Sequence, residues 1–510
     1  MRNILLTTAA LLWGTVALAQ AQTAAPSQGQ LAAPYGAGPA SNNNNNAWGI
    51  ANTPSGSTAA GPLSTQFPPN TLAVPTPGTI VIRLNGRVEV DLTGNFTSVD
   101  KGVTATGAPN GYKLNPLGIA AYARLYPGFD GLAANGLRYG ATVEIRTNFS
   151  GGNANGATFA SGAGGAASGP STNSSEETLY VRRAFTYLAT DQTGIVRLGQ
   201  GDGVLGLFDN CIFTSQCWDA GEGVFDGGGS TQTEPTNVIP PWVWLSGSGA
   251  EYANNKIVYL SPQIYGFDFG VQYAPNEGNS FQNTGNGVGC GQAGPSCVNV
   301  TSGNDATRWI NQAGLGLRFQ HNFGAVDVKT YGFYEVSGKE NLTTTGTVSP
   351  AAALKAAIAG TNETQFQRYD NLGFYKAGVA VTAANITLAA DYIGGRINGA
   401  LNLAPTGGAP MNAVITGLTY AHGPITAGAE IGIIDSQGDT RLVDVSQRHE
   451  YEVAFGGAYK LAPGVQLVGE YQYTHRHQGG FDFATGTVDT SLRTVDAQSQ
   501  GVTFATVLTW

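Results

Sequence analysis

The sequence has little charge and few sulfur-containing residues: only 12% of its 510 residues are Asp, Glu, Lys or Arg, with 2 Met and 4 Cys. Beyond residue 19 it has no run near the roughly 20 apolar residues that a membrane-spanning helix requires. It also lacks long helical patterns, since residues 351–359 form the single helix-like stretch. These absences exclude a helical membrane protein and disfavour an ordinary soluble domain, which would carry several helices at this length.

What the sequence has in abundance is Gly, Tyr and Phe, together with short segments that alternate with a period of two. Residues 80–91 show the pattern most clearly. One face carries Ile82, Leu84, Gly86, Val88 and Val90, and the other carries Arg83, Asn85, Arg87, Glu89 and Asp91. Residues 137–147 and 465–476 repeat this division. A barrel wall between lipid and water needs it, because successive side chains of a strand point to opposite faces.

The connections between these segments are alternately short and long. The short ones are rich in Gly, Pro, Asn or Asp and span residues 130–136, 189–194, 261–266, 321–324, 383–385, 422–424 and 461–464. The long ones span residues 94–117, 150–176, 201–250, 275–306, 337–364, 396–410, 435–446 and 478–497. We therefore expect an all-β fold, a transmembrane antiparallel β-barrel of about sixteen strands with short periplasmic turns and long outward loops.

The N-terminal region divides into two segments before the barrel begins. Residues 1–21 combine Arg2, an apolar run and small residues around Ala19, which are the features of a secretory signal peptide. Residues 22–78 are rich in Ala, Pro, Gly, Ser and Asn, so they bury too little apolar surface to offset the entropy of ordering. We predict a disordered periplasmic segment there, serving as a flexible leader, a tether, an envelope-binding arm or a plug. Residues 79–510 then form the outer-membrane barrel.

The chain ends on an aromatic residue after alternating apolar positions. Val502, Phe504, Leu508 and Trp510 share one face of the last predicted strand. This resembles the terminal signal that the barrel-assembly machinery of Gram-negative bacteria reads, in which Phe is the usual last residue. The resemblance implies that Phe504, Leu508 and Trp510 form the assembly signal, although Trp510 and the polar Thr506 depart from the usual pattern.

Residues 180–209, YVRRAFTYLATDQTGIVRLGQGDGVLGLFD, form the richest local stretch. A strand, a turn closing on Gly194 and a second strand of residues 195–199 lead into the longest connection. This resembles the general bacterial porins, in which such a unit introduces a third outward loop that folds inward and narrows the pore. Gln200 stands where those porins often place Arg. The resemblance implies a homotrimeric outer-membrane porin, a water-filled channel for ions and small hydrophilic solutes.

If the third loop folds inward, its carboxylates face arginines on the barrel wall. The implied loop acids are Asp202, Asp209, Asp219, Glu222 and Asp226, and the arginines whose strand parity points inward are Arg83, Arg87, Arg124, Arg138, Arg146, Arg182 and Arg197. Opposite charges across a constriction create a field that orients and filters small solutes. Each loop acid is equally well explained as a solvated charge. The net charge of -9 favours cations whereas the arginines favour anions, so the ion preference stays open.

The cysteines form two close pairs in predicted outward loops. Cys211 is followed by Cys217, and Cys290 by Cys297. In an oxidising envelope two local disulfides are the natural interpretation, although four cysteines allow three pairings. Neither pair has a nearby His or a repeated CxxC spacing, so we predict no metal site and no cofactor.

Three other functions fit a barrel of this kind. They are a rim enzyme, meaning a lipase or protease with its active site at the outer rim of the barrel, an adhesive barrel, and a channel selective for sugars or organic acids. A rim enzyme needs His beside a nucleophile, but His321 and His422 fall in predicted periplasmic turns. His449, His475 and His477 lie near outward rims; the last two share one strand face, which suits a metal pair or, in our preferred interpretation, a solvated rim. We predict a channel without enzymatic activity.

Overall fold

The computed structural model describes residues 77–98, 116–148, 180–190, 192–201, 203–208, 255–276, 309–339, 369–398, 403–483, 487–488 and 495–510. These residues form strands, one short helix and one 3-10 turn. They are β1 Thr79–Thr97, β2 Leu117–Leu132, β3 Arg138–Asn148, β4 Tyr180–Thr190, β5 Gly194–Gln200, α1 Val204–Phe208, β6 Asn255–Leu260, β7 Phe267–Asn276, β8 Trp309–Asn322, β9 Val326–Lys339, β10 Gly373–Ala383, β11 Ile386–Arg396, β12 Met411–His422, β13 Ile425–Ser436, the 3-10 turn Thr440–Leu442, β14 Arg448–Ala462, β15 Val465–His477, β16 Phe481–Asp482, β17 Thr487–Val488 and β18 Asp496–Thr509. No helix within the described ranges has the length and apolar character of a membrane span.

Most of the described strands pair in one closed antiparallel ring. Each strand from β1 to β14 pairs with the next, β15 pairs with β18, and β18 pairs with β1. β16 and β17 form a separate two-stranded sheet. The prediction of an all-β antiparallel fold is therefore confirmed. The described residues contain eighteen strands, more than the predicted number of about sixteen, because β16 and β17 lie outside the ring, inside a predicted long connection, residues 478–497. Strands of two residues carry no periodic signal that a sequence pattern reveals.

Short turns join the strands at one end of the barrel, and each predicted short connection overlaps one of them. Most of these turns use a glycine in the left-handed region, such as Gly464 with a φ of 77°. The turn between β10 and β11 has no glycine, and there Ala384 and Asn385 have φ values of 48° and 70°. Two consecutive left-handed residues match the twist of the paired strands, so the turn stays tight.

The strands have an exposed apolar face and a buried polar face. On β10, Tyr375 is exposed and its neighbour Lys376 is buried. Ile82 on β1 is 84% exposed, whereas Glu335 on β9 is 0% exposed. This inverts the arrangement of a soluble sheet protein. It is the arrangement expected where the outside of a barrel contacts lipid and its inside is polar.

Aromatic side chains lie on the outer face near both ends of the wall. At the turn end, the rings of Phe267 and Phe319 are 4.7 Å apart, and Tyr420 is 40% exposed. Toward the long connections, the rings of Tyr375 and Tyr392 are 5.7 Å apart. Two such belts mark the two interfaces of a bilayer in membrane barrels. The polar interior between them is where a function has to be sought.

Candidate functional site

The interior of the barrel is the candidate site, because the inward strand faces carry buried charged side chains in two arcs. An acidic arc on β13–β15, β1 and β3 contains Glu89, Asp91, Glu144, Glu430, Glu450, Glu452 and Glu470. A basic arc on β5, β6 and β8–β10 contains Arg197, Lys256, Arg318, Lys329 and Lys376. Asp268, Glu335 and Asp391 also lie in or beside the basic arc, and Arg476 lies in the acidic one. Among the described side chains, acidic and basic groups thus lie on different parts of the wall, an arrangement that produces a field across the lumen.

In the acidic arc, neighbouring strands place carboxylates side by side. Glu452 of β14 and Glu430 of β13 lie two register positions apart on paired strands, and both are buried on the inward face. Glu452 accepts a hydrogen bond of 2.5 Å from the Gln472 amide. Nearer the long connections, Arg476 Nε donates to Glu450 Oε1 at 2.5 Å, and both side chains are buried. The inward faces of β13, β14 and β15 thus form one acidic surface.

In the basic arc, the charged side chains contact carboxylates and an aromatic ring. Arg318 donates to both carboxylate oxygens of Asp268, with distances of 3.0 and 2.5 Å. This two-point contact fixes the plane of the guanidinium group as well as its position. Lys376 Nζ lies 3.6 Å from Asp391. The Arg197 guanidinium lies 5.0 Å from the Phe185 ring centre, within the range of a cation–π contact.

The helix α1, which follows β5, lies against the inward faces of β7, β8 and β9. Val204 and Phe208 are buried there, and the Val204 amide donates to Gln272 Oε1 at 2.5 Å. The backbone can approach because Gly316 leaves space: a Cβ at that position would lie 2.6 Å from Val204 Cγ1 and 2.9 Å from Phe208 Cδ2. The Arg318 guanidinium lies over the Phe208 ring, 4.7 Å from its centre. The chain therefore turns into the barrel as soon as β5 ends.

The structure describes the side chains of only some of the predicted wall residues. Arg197 is buried on the inward face, and Arg138 is half-buried at the start of β3. The other predicted arginines lie on β1–β4 with side chains outside the description: Arg83, Arg87, Arg124, Arg146 and Arg182. The predicted loop acids and cysteines lie outside the described residues: Asp202, Asp209, Asp219, Glu222, Asp226, Cys211, Cys217, Cys290 and Cys297.

The strand register brings three of those arginine positions together. The backbone of Arg87 pairs with that of Arg124, and Arg124 pairs with Arg146. The sequence prediction missed Arg318 and the buried lysines of the basic arc, Lys256, Lys329 and Lys376. The same strand parity that identified Arg197 would have found them, because they alternate with exposed residues such as Leu317.

Comparisons with known proteins give a family match and several similar solved structures. The family model for Gram-negative porins matches residues 82–479. Similar solved structures include the outer membrane channel DcaP of Acinetobacter baumannii, with 12% identity, coverage of 86% of this chain and 99% of that one, and a TM-score of 0.48. The anion-selective porin from Comamonas acidovorans has 14% identity, coverage of 85% and 100%, and a TM-score of 0.46. A mutant of the Rh. blastica porin has 13% identity, coverage of 84% and 100%, and a TM-score of 0.43.

A search of curated proteins gave no match. The family match nevertheless spans well over half of the 510 residues. Its span runs from β1 past the end of β15 and so includes both charged arcs and α1. The chain therefore belongs to the Gram-negative porin family and is an outer-membrane channel protein.

Proposed function

We propose that the barrel interior is a water-filled channel for the passive diffusion of ions and small hydrophilic solutes. The observation that carries this proposal is the closed ring with an exposed apolar face and a charged inward face. A lumen lined by charged and amide groups admits hydrated solutes, and passage needs no covalent chemistry. We therefore assign the protein no enzymatic activity and no cofactor.

We further propose that the third long connection narrows this channel. The position of α1 supports the proposal, because the first turn of that connection packs on the inward wall. The acids Asp202, Asp209, Asp219, Glu222 and Asp226 would then line one side of the constriction, opposite inward arginines such as Arg197. A disulfide between Cys211 and Cys217 would stiffen the same connection, and one between Cys290 and Cys297 would stiffen the next.

The topology and assembly of the porin are a separate proposal. The short turns lie on the periplasmic side and the long connections face outward, after removal of residues 1–21 and with residues 22–78 in the periplasm. Phe504 and Leu508 are 61% and 43% exposed on the outer face of β18. That exposure suits recognition of Phe504, Leu508 and Trp510 by the barrel-assembly machinery, before three chains associate as a homotrimer.

Planar-bilayer recording tests the proposed channel. The full chain, purified in detergent and reconstituted under a salt gradient, should give stepwise, long-lived openings whose reversal potential reports the ion preference. A barrel with native strand content by circular dichroism that never conducts would contradict the proposed function and favour an adhesive role. Varying the size of neutral solutes added to the bath would then measure the width of the constriction.

A further inference from the structure

Four polar side chains form a row across the outer face of the barrel, at the end that carries the long connections. The strand register pairs Asp435 of β13 with His449 of β14, His449 with His477 of β15, and His477 with Asp496 of β18. The order along the row is therefore acid, imidazole, imidazole, acid. These side chains are 43% to 56% exposed, so dissolved ions can reach them.

Each aspartate of the row holds one ring nitrogen of the adjacent histidine. His449 Nδ1 lies 2.6 Å from Asp435 Oδ1, and His477 Nδ1 lies 2.8 Å from Asp496 Oδ1. An ionised carboxylate only accepts hydrogen bonds, so Nδ1 carries the proton in each neutral ring. Nε2 then keeps a free lone pair. Carboxylates orient the histidines of protein metal sites in this same way.

The two imidazoles are close enough to share one ion. Side chains directly opposite each other on antiparallel strands have Cβ atoms about 4.5–5.5 Å apart, and a zinc–imidazole bond is about 2 Å long. The aspartates lie on the two outer sides of the pair in the strand order, so neither of them stands between the two rings. His475 lies on the same face, but its Nε2 is 3.5 Å from Asp496 and its ring stacks on Tyr451.

We propose that His449 and His477 form an exchangeable binding site for a divalent transition-metal ion such as Zn²⁺, with Asp435 and Asp496 as positioning residues. Among the described residues, no group of three or more His, Cys, Asp or Glu side chains is arranged to hold a metal. The site therefore offers two protein nitrogens, and water fills the remaining positions of the ion. This departs from the predicted absence of a metal site. It is independent of conduction, because the row lies on the outside of the barrel.

Isothermal titration calorimetry tests the site. Zn²⁺ alone is titrated into the full chain in detergent at about pH 7.5. We expect one Zn²⁺ per chain, with binding lost in His449→Gln and in His477→Gln. Asp435→Asn and Asp496→Asn should each weaken binding by about 10- to 100-fold, as expected for groups that orient a ligand. The matched control is the double variant His321→Gln/His422→Gln at the opposite end of the barrel, which should bind as the parent does.

Two results would overturn the assignment. The first is Zn²⁺ uptake that is absent from the parent chain or unchanged in His449→Gln and His477→Gln, with native strand content in every variant. The second is loss of binding in His475→Gln but not in His449→Gln, which would place the ion on β15 alone. With Cu²⁺ as the probe, the electron paramagnetic resonance spectrum of the parent should show coupling to two nitrogens, and this two-nitrogen spectrum should be lost in either single variant.

Discussion

The indole ring of Trp510 lies over the backbone of Gly86, in the space that a β-carbon at residue 86 would occupy: an added Cβ would be 2.1 Å from Cζ2 of the ring. The two residues also exchange backbone hydrogen bonds, each with a donor–acceptor distance of 3.1 Å. They lie at the seam where β18 meets β1 and the ring of strands closes. The terminal aromatic residue therefore packs into a position that only glycine leaves open.

Replacing Gly86 with valine should destabilise the barrel at this seam. The new side chain has to displace the Trp510 ring, and overpacking of this kind costs about 1–3 kcal/mol. The midpoint of urea unfolding in lipid vesicles measures the loss. Gly332→Val on β9 is the matched control, since nothing lies within 4 Å of a Cβ at that position. Equal midpoints for the two variants would refute the proposed packing role.

Gly316→Ala should lower the single-channel conductance. The added methyl group meets Val204 and Phe208 at the inner wall, so α1 must shift away from the wall into the lumen. Conductance steps in a planar bilayer report the narrowing directly. Gly332→Ala changes the outer face of the neighbouring strand and should conduct like the parent. An unchanged step size for Gly316→Ala would show that α1 does not border the conducting path.

Asp268→Asn should strongly destabilise the fold. It leaves the buried Arg318 guanidinium without its carboxylate partner, and breaking such a buried pair costs about 3–5 kcal/mol. The free energy of unfolding from denaturant titration tests this. The control is Asp327→Asn, because Asp327 meets Asn322 in an exposed turn contact, where a change of less than about 1 kcal/mol is expected. Similar losses in both variants would contradict the role assigned to burial.

Neutralising the two charged arcs should move the reversal potential in opposite directions. Glu470→Gln removes a carboxylate from the acidic arc and should raise the relative permeability to anions, whereas Lys256→Gln should raise it to cations. Reversal potentials under a salt gradient provide the measurement. Asp435→Asn, on the outer face, should leave the reversal potential unchanged. Shifts of one sign for both lumen variants would mean that the arcs do not act separately on permeating ions.

Local sequence patterns predicted most strands and turns of the barrel wall, but they did not predict the helix α1 or most of the charged side chains on the inner face. The turn at residues 383–385 could be predicted without a glycine because Asn385 tolerates the left-handed conformation that Ala384 also adopts there. The helix α1 could not be predicted, because Val204–Phe208 is too short to show a helical period and its burial depends on β7–β9. The lysines of the basic arc were not predicted, although Lys256 and Lys376 follow the same strand parity as Arg197.

The sequence alone determined which side chains face lipid and which face the lumen, because a period of two records both environments within a single strand. The tertiary structure decided which residues meet. Gly86 contacts Trp510 from the other end of the barrel sequence, Asp268 reaches Arg318, and His449 rather than His475 stands beside His477. These contacts depend on the strand register, which is set only when every strand of the ring pairs with both of its neighbours. No single segment of the sequence contains that information.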